Sequence, residues 1–249
     1  MRTFQILKGK STLRILLCVL GSINLLFLGV ICVYEIRTHN FQIILSDLGV
    51  CSIKESYRPD YWCVSSWTKC VQKLKVEAEV AFFGNSITAG SNFHDHFPDV
   101  KIIELGYSGD RIDGMTRRIP MLQAVNPKKI FIMAGINDLH RSSPKTIYQR
   151  YDKLLTSIKE ALPQTSIYVQ SILPVSLEKE KTYATNGVIK ETNLLIEEIC
   201  QKHNCTYIDL NSKYVENGVL PDSLSKDGVH LKSEAYGRWA QEIRKYIYE

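Results

Sequence analysis

The chain has 249 residues, 45% of them hydrophobic and 23% charged, with a formal net charge of +5. That suits one globular domain of ordinary size with something added, and it excludes a disordered or fibrous chain. Four of the five net positive charges sit at Arg2, Lys8, Lys10 and Arg14; no long basic run follows, so the charge does not call for a nucleic-acid partner.

Ile15 to Tyr34 reads ILLCVLGSINLLFLGVICVY, without a charge. As a helix it would rise roughly 30 Å, enough to cross a bilayer core. Basic residues precede it, and Glu35 and Arg37 cancel just after it, so the positive-inside rule puts the amino terminus in the cytoplasm and the remainder outside. The stretch is longer than the core of a cleaved signal peptide and lacks a good small-x-small site, which favours an uncleaved anchor. The expected organisation is a cytoplasmic tail (1–14), a transmembrane signal anchor (15–34), an aromatic lead-in (35–74) and a folded domain (75–249). The domain would then be extracytoplasmic.

The lead-in carries Tyr57, Tyr61, Trp62 and Trp67. Trp62 and Trp67 are candidates for a sugar-stacking wall, although packing of the lead-in on the domain explains them more readily. Cys51, Cys63, Cys70, Cys200 and Cys205 are an odd set, and both disulfides and buried thiols fit them. Asn204-Cys205-Thr206 is a formal glycosylation sequon.

From there short apolar runs alternate with longer amphipathic ones. Strands are expected at Glu79–Phe83, Lys101–Leu105, Lys129–Met133, Ser166–Ser171 and Thr206–Leu210. Helices are expected at Ile112–Val125, Pro144–Leu162, Val188–His203 and Ser233–Tyr248. Ser142-Ser143-Pro144 marks the start of the second, which spaces Ile147, Tyr151, Leu154, Leu155 and Ile158 along one face. Nearly continuous apolar strands are those of a parallel sheet covered on both faces. This predicts a three-layer α/β/α, flavodoxin-like domain on a five-stranded parallel sheet.

Ligands of such sheets bind beyond the carboxyl ends of the strands. Four groups fall there or in the loop before the last helix: Gly84-Asn85-Ser86, Gly106-Tyr107-Ser108-Gly109, Gly135-Ile136-Asn137-Asp138 and Asp227-Gly228-Val229-His230. A serine hydroxyl needs a base with a pKa near neutrality, and histidine supplies one. Asp227, three residues before His230, can reach its Nδ1 in a turn and fix the tautomer. Singly, each group has a plainer explanation: Ser86 as an N-cap, Asp227-Gly228 as a turn, His230 as a structural residue. His94-Asp95-His96 and the Asp138/His140 pair are of metal-ligating types, but no third and fourth ligand is identifiable.

Together, GNS, GYSG, GIND and DGVH resemble the sequence blocks of the SGNH hydrolases, the GDSL family of esterases and lipases, over residues 76–245. The branch containing platelet-activating-factor acetylhydrolase-like and carbohydrate acetylesterase enzymes is the most similar. The resemblance implies Ser86 as nucleophile, His230 as base and Asp227 as its partner. It implies an oxyanion hole from the Ser86 backbone NH, Gly106 and Asn137, with no cofactor and no metal. Asn85 stands where the family usually has aspartate, and Glu104 departs from the asparagine that often opens the second block. The expected activity is hydrolysis of small acyl esters, above all O-acetyl groups on a glycan. The alternatives are a lysophospholipase or thioesterase with the same triad, and a non-catalytic glycan-binding protein on the same fold.

Overall fold

The computed structural model describes residues 68–69, 71–73 and 76–249. The expected span 15–34, the lead-in tryptophans Trp62 and Trp67, and Cys18, Cys32, Cys51, Cys63 and Cys70 lie outside these residues. Among the described residues no helix is long and apolar enough to cross a membrane.

Five parallel strands form the sheet: β1 (Val80–Gly84), β2 (Ile102–Gly106), β3 (Lys129–Met133), β4 (Ser166–Gln170) and β5 (Thr206–Ile208), in the order β2-β1-β3-β4-β5. The order reverses between β1 and β3, so right-handed crossovers distribute helices over both faces. The short helices α1 (Ser86–Ala89) and α2 (Phe93–His96) follow β1, and α3 (Ile112–Arg117) and α4 (Ile119–Val125) follow β2. Next come α5 (Ile136–Leu139), α6 (Pro144–Ala161), α7 (Asn186–Lys202), α8 (Asn211–Tyr214) and α9 (Ser233–Tyr248). α6 packs against α3, α4 and α7, whereas α9 packs against α2.

β1 is buried along its whole length, as its unbroken apolar sequence requires. Its register sets Phe82 beside Phe131, and Phe131 beside Tyr168. These three rings stack across the sheet with centroids 5.1 and 4.7 Å apart. Phe93 of α2 lies on Phe82 at 3.9 Å, and Trp239 of α9 meets Phe93 edge-on at 5.2 Å. This aromatic column fastens α2 and α9 to the sheet.

Two expected elements change shape. The predicted helix Ile112–Val125 is two helices, because Pro120 has no NH to offer and its ring would collide with the carbonyl of Thr116. The chain turns at Arg118 and restarts with the proline in the first turn of α4. The last strand stops at Ile208 rather than Leu210, since Leu210 NH turns back to Ile208 O and Asp209 takes the NH of Ser212. Elsewhere the boundaries move by one or two residues. α6 starts where Ser143 Oγ accepts the NH of Thr146, and α7 where Thr185 Oγ1 accepts that of Val188.

Phe131 is fully buried at the centre of the ring stack. Phe131→Ala is expected to cost about 3–5 kcal/mol of stability, read as a lowered urea midpoint with an unchanged slope.

Candidate active site

The ends of β1, β2 and β3 stand level. Gly84 is in register with Gly106 on one side and Met133 on the other. Beyond Gly84 the backbone at Asn85 is extended, and its Oδ1 accepts the NH of Ile87 at 2.9 Å. Asn85 is therefore the cap of α1, and Ser86 is its first helical residue. The capping role that Ser86 alone might have had is filled by its neighbour, which leaves its hydroxyl available.

Ser86 Oγ lies 2.9 Å from His230 Nε2, across 144 residues of sequence. His230 Nδ1 lies 2.7 Å from Asp227 Oδ2. Asp227 Oδ1 also accepts the backbone NH of Val229 at 3.0 Å and of His230 at 2.8 Å. Burial raises this carboxyl, but the hydrogen bonds from His230 and Val229 outweigh it and bring it down to about 2. An ionised carboxylate only accepts, so Nδ1 carries the proton and the lone pair of Nε2 faces the serine hydroxyl.

The turn that presents this pair is built locally. Gly228 has φ +86°, and a Cβ there would fall 2.2 Å from Ser176 Oγ. Ser225, 5% exposed, accepts the NH of Gly228 and donates to His230 O at 3.2 Å. Ser176 NH holds Gly228 O at 2.9 Å. Ser225 and Ser176 thus fix the histidine loop, and no motif in the sequence marks either.

The expected oxyanion donors lie at neighbouring strand ends. Asn137, in α5, follows Gly135 with φ +117°, and its Nδ2 donates to Asp110 O in the loop after β2 at 2.8 Å. Gly106 ends β2. A Cβ would fall 2.2 Å from Ala89 N and 2.6 Å from Ala89 Cα, so the space is taken by the backbone of α1.

Asp138, unassigned by sequence beyond the metal question, is fully buried. Its oxygens accept Arg150 Nη1 at 2.8 Å and the NH of Ile112 at 3.3 Å, tying α5 to α6 and to the start of α3. Arg150 also pairs with Asp113 at 3.2 Å. Burial pushes the Asp138 carboxyl up to about 6 against the pull of Arg150 and the Ile112 NH. His94 pairs with Asp95 at the surface, and His140 Nδ1 meets Thr182 O at 2.5 Å. Among the described residues no group of three or more His, Cys, Asp or Glu is placed to hold a metal ion.

The model of the GDSL-like Lipase/Acylhydrolase family matches residues 82–238. A GDSL-like lipase of Bacteroides thetaiotaomicron superposes with a TM-score of 0.65 at 21% identity, covering 76% of this chain and 97% of that one. An acetyl xylan esterase superposes with a TM-score of 0.58 at 18% identity, covering 69% and 99%. At these identities the superpositions establish the fold. The chain is also 21% identical over 174 residues to an N-acylneuraminate cytidylyltransferase of Streptococcus agalactiae serotype V, covering 70% of itself. It spans about 40% of the length of the curated relatives it matches.

Asp138 gives a pH signature. Unfolded, it loses its proton near pH ~4, whereas folded it keeps the proton to about 6. Between these values the folded state binds more protons, so this group's contribution to stability is full below pH ~4 and declines as pH rises. Thermal midpoints measured across that window are expected to fall less steeply in Asp138→Asn than in the unsubstituted protein.

Proposed function

Because the chain belongs to the GDSL-like lipase/acylhydrolase family and is accordingly an ester hydrolase, we propose that Ser86 is its nucleophile, His230 its general base and Asp227 the orienting carboxylate. The observation that carries this reading is the unbroken line of hydrogen bonds, 2.9 Å from Ser86 Oγ to Nε2 and 2.7 Å from Nδ1 to Asp227.

In the acylation step Ser86 Oγ attacks the ester carbonyl carbon as Nε2 takes its proton, and Asp227 stabilises the imidazolium. Negative charge gathers on the carbonyl oxygen, which the NH groups of Ser86 and Gly106 and the second hydrogen of Asn137 Nδ2 receive. The imidazolium then protonates the departing alcohol. Water repeats the sequence on the acyl-enzyme, giving the acid and free Ser86.

The substrate we propose is a small acyl ester, an O-acetyl group on a glycan. The likeness to an acetyl xylan esterase supports it, though a shared fold by itself does not fix a substrate. An anchor over residues 15–34 would keep the domain at a membrane, facing extracytoplasmic polymers. Trp62 and Trp67 remain candidates for contacts with the sugar.

Acetylated sugars and p-nitrophenyl esters of increasing chain length test the reading on the full-length chain. Acetyl esters are expected to be preferred; a strong preference for long chains would replace the glycan by a lipid or thioester substrate. Asn137→Ala is expected to lose ~10² to 10³ in rate, about 2.7–4 kcal/mol. Ser86→Ala and His230→Ala should lose more, and the double variant little beyond either one. Multiplicative losses would overturn the shared mechanism.

A further inference from the structure

Arg118 stands at the junction of α3 and α4 and is 4% exposed. A guanidinium taken out of water must spend all its donors on protein acceptors. Nη1 donates to Leu105 O at 3.0 Å, Nη2 to Gly84 O at 3.0 Å, and Nε to Asp110 Oδ2 at 2.8 Å. Nη2 is also 2.7 Å from the same carboxylate oxygen. The plane lies over the Phe83 ring, 4.6 Å from its centroid, with Tyr107 at 5.7 Å.

Its acceptors adjoin the groups that the proposed function assigns to the oxyanion hole. Leu105 C=O and Gly106 NH belong to one planar trans peptide, so fixing the oxygen fixes the opposite direction in which the NH points. A cation bound to that oxygen also polarises the peptide and makes its NH a stronger donor. Gly84 C=O is one peptide before the Ser86 NH. Asp110, whose side chain Arg118 holds, offers its own carbonyl to Asn137 Nδ2 at 2.8 Å. One buried cation thus touches the segments that carry two of the expected donors, Ser86 and Gly106, and reaches the third, Asn137, through Asp110.

We propose that Arg118 is the positioning residue of the oxyanion hole, aligning and polarising the Gly106 peptide directly and orienting Asn137 through Asp110. The inference rests on the assignment of those donors under the proposed function. It makes Arg118 a residue that acts through others, without contact to the substrate.

Lysine keeps the charge but lacks the planar fork that serves three acceptors at once. In full-length Arg118→Lys, kcat on an acetyl ester is expected to fall about 10- to 100-fold, less than removal of a donor outright typically gives, with KM nearly unchanged. The Gly106 amide proton resonance should move upfield as the peptide loses polarisation. Adding Asn137→Ala should cost less than the product of the two single losses, because Arg118 acts partly through that side chain. Asp110→Asn serves if the lysine variant does not fold, with the same kinetic pattern expected. Unchanged kcat with only a lowered melting temperature, in whichever variant folds, would overturn the proposal and leave Arg118 a packing residue. Phosphonate labelling of Ser86 in the unsubstituted protein separates the two readings. Labelling with no kinetic effect at Arg118 sinks this inference alone, whereas absence of labelling removes the nucleophile and this inference with it.

Discussion

The passage of α1 across the ends of β1 and β2 is the constraint on which the site depends. The backbone of Ala89 occupies the space that a Cβ on Gly106 would need, and Thr88 Oγ1 would lie 2.1 Å from one on Gly84, with Met133 O at 2.7 Å. Two glycines at level positions of adjacent strands let a helix lie directly on the sheet's edge. Tyr236 of α9 then donates to Ile87 O at 2.7 Å and holds the helix down. Ser86, in the first turn, inherits a position fixed to backbone precision. A mobile side chain on a loop would not have it.

The base is delivered differently. Asp227 and His230 ride on a loop that Ser225 ties within itself and that the Ser176 NH, distant in sequence, holds through Gly228 O. Asp227 and His230 keep 49% and 36% of their side-chain surface exposed, so their pairing is screened and adds little to stability. The proposed nucleophile sits on the rigid layer and the proposed proton carrier on the wetter rim. This suits an imidazole that must exchange a proton with alcohol and with water in turn. By contrast, the charges inside the rigid layer are paired: Arg118 with Asp110, both 5% exposed, and Arg150 with Asp138. Desolvation takes back much of what such pairs gain, and their visible effect is to hold chain segments from different strands in one arrangement.

Much of the architecture was legible because it repeats. Lys129–Met133 and Ser233–Tyr248 end where the pattern places them, and the blocks GNS, GYSG and GIND locate the strand ends. The rest had no period to read. α2, α5, α8 and α1 are four residues each, barely one turn, too short for an amphipathic signature. Pro120 was visible, but an apolar face continuing on both sides of it masked the break. Arg118 lies among other charged residues on a helix, and nothing in the sequence distinguishes a buried arginine from a solvated one. That Gly106 must be glycine to admit the backbone of Ala89 is equally invisible, since sequence cannot say which neighbour crowds a glycine.

The two departures from the family pattern have structural explanations that leave the triad untouched. Glu104 accepts the backbone NH of Phe93, and burial raises its carboxyl despite that bond. It serves the start of α2, whose Phe93 enters the aromatic column, so a change in the second block is absorbed by the core. Asn85 supplies the capping oxygen that aspartate would also supply, while its Nδ2 is buried without a hydrogen-bond partner. Retaining the amide therefore carries a cost in stability. What the amide keeps is the start of α1, so the setting of Ser86 is the one an aspartate cap would also give.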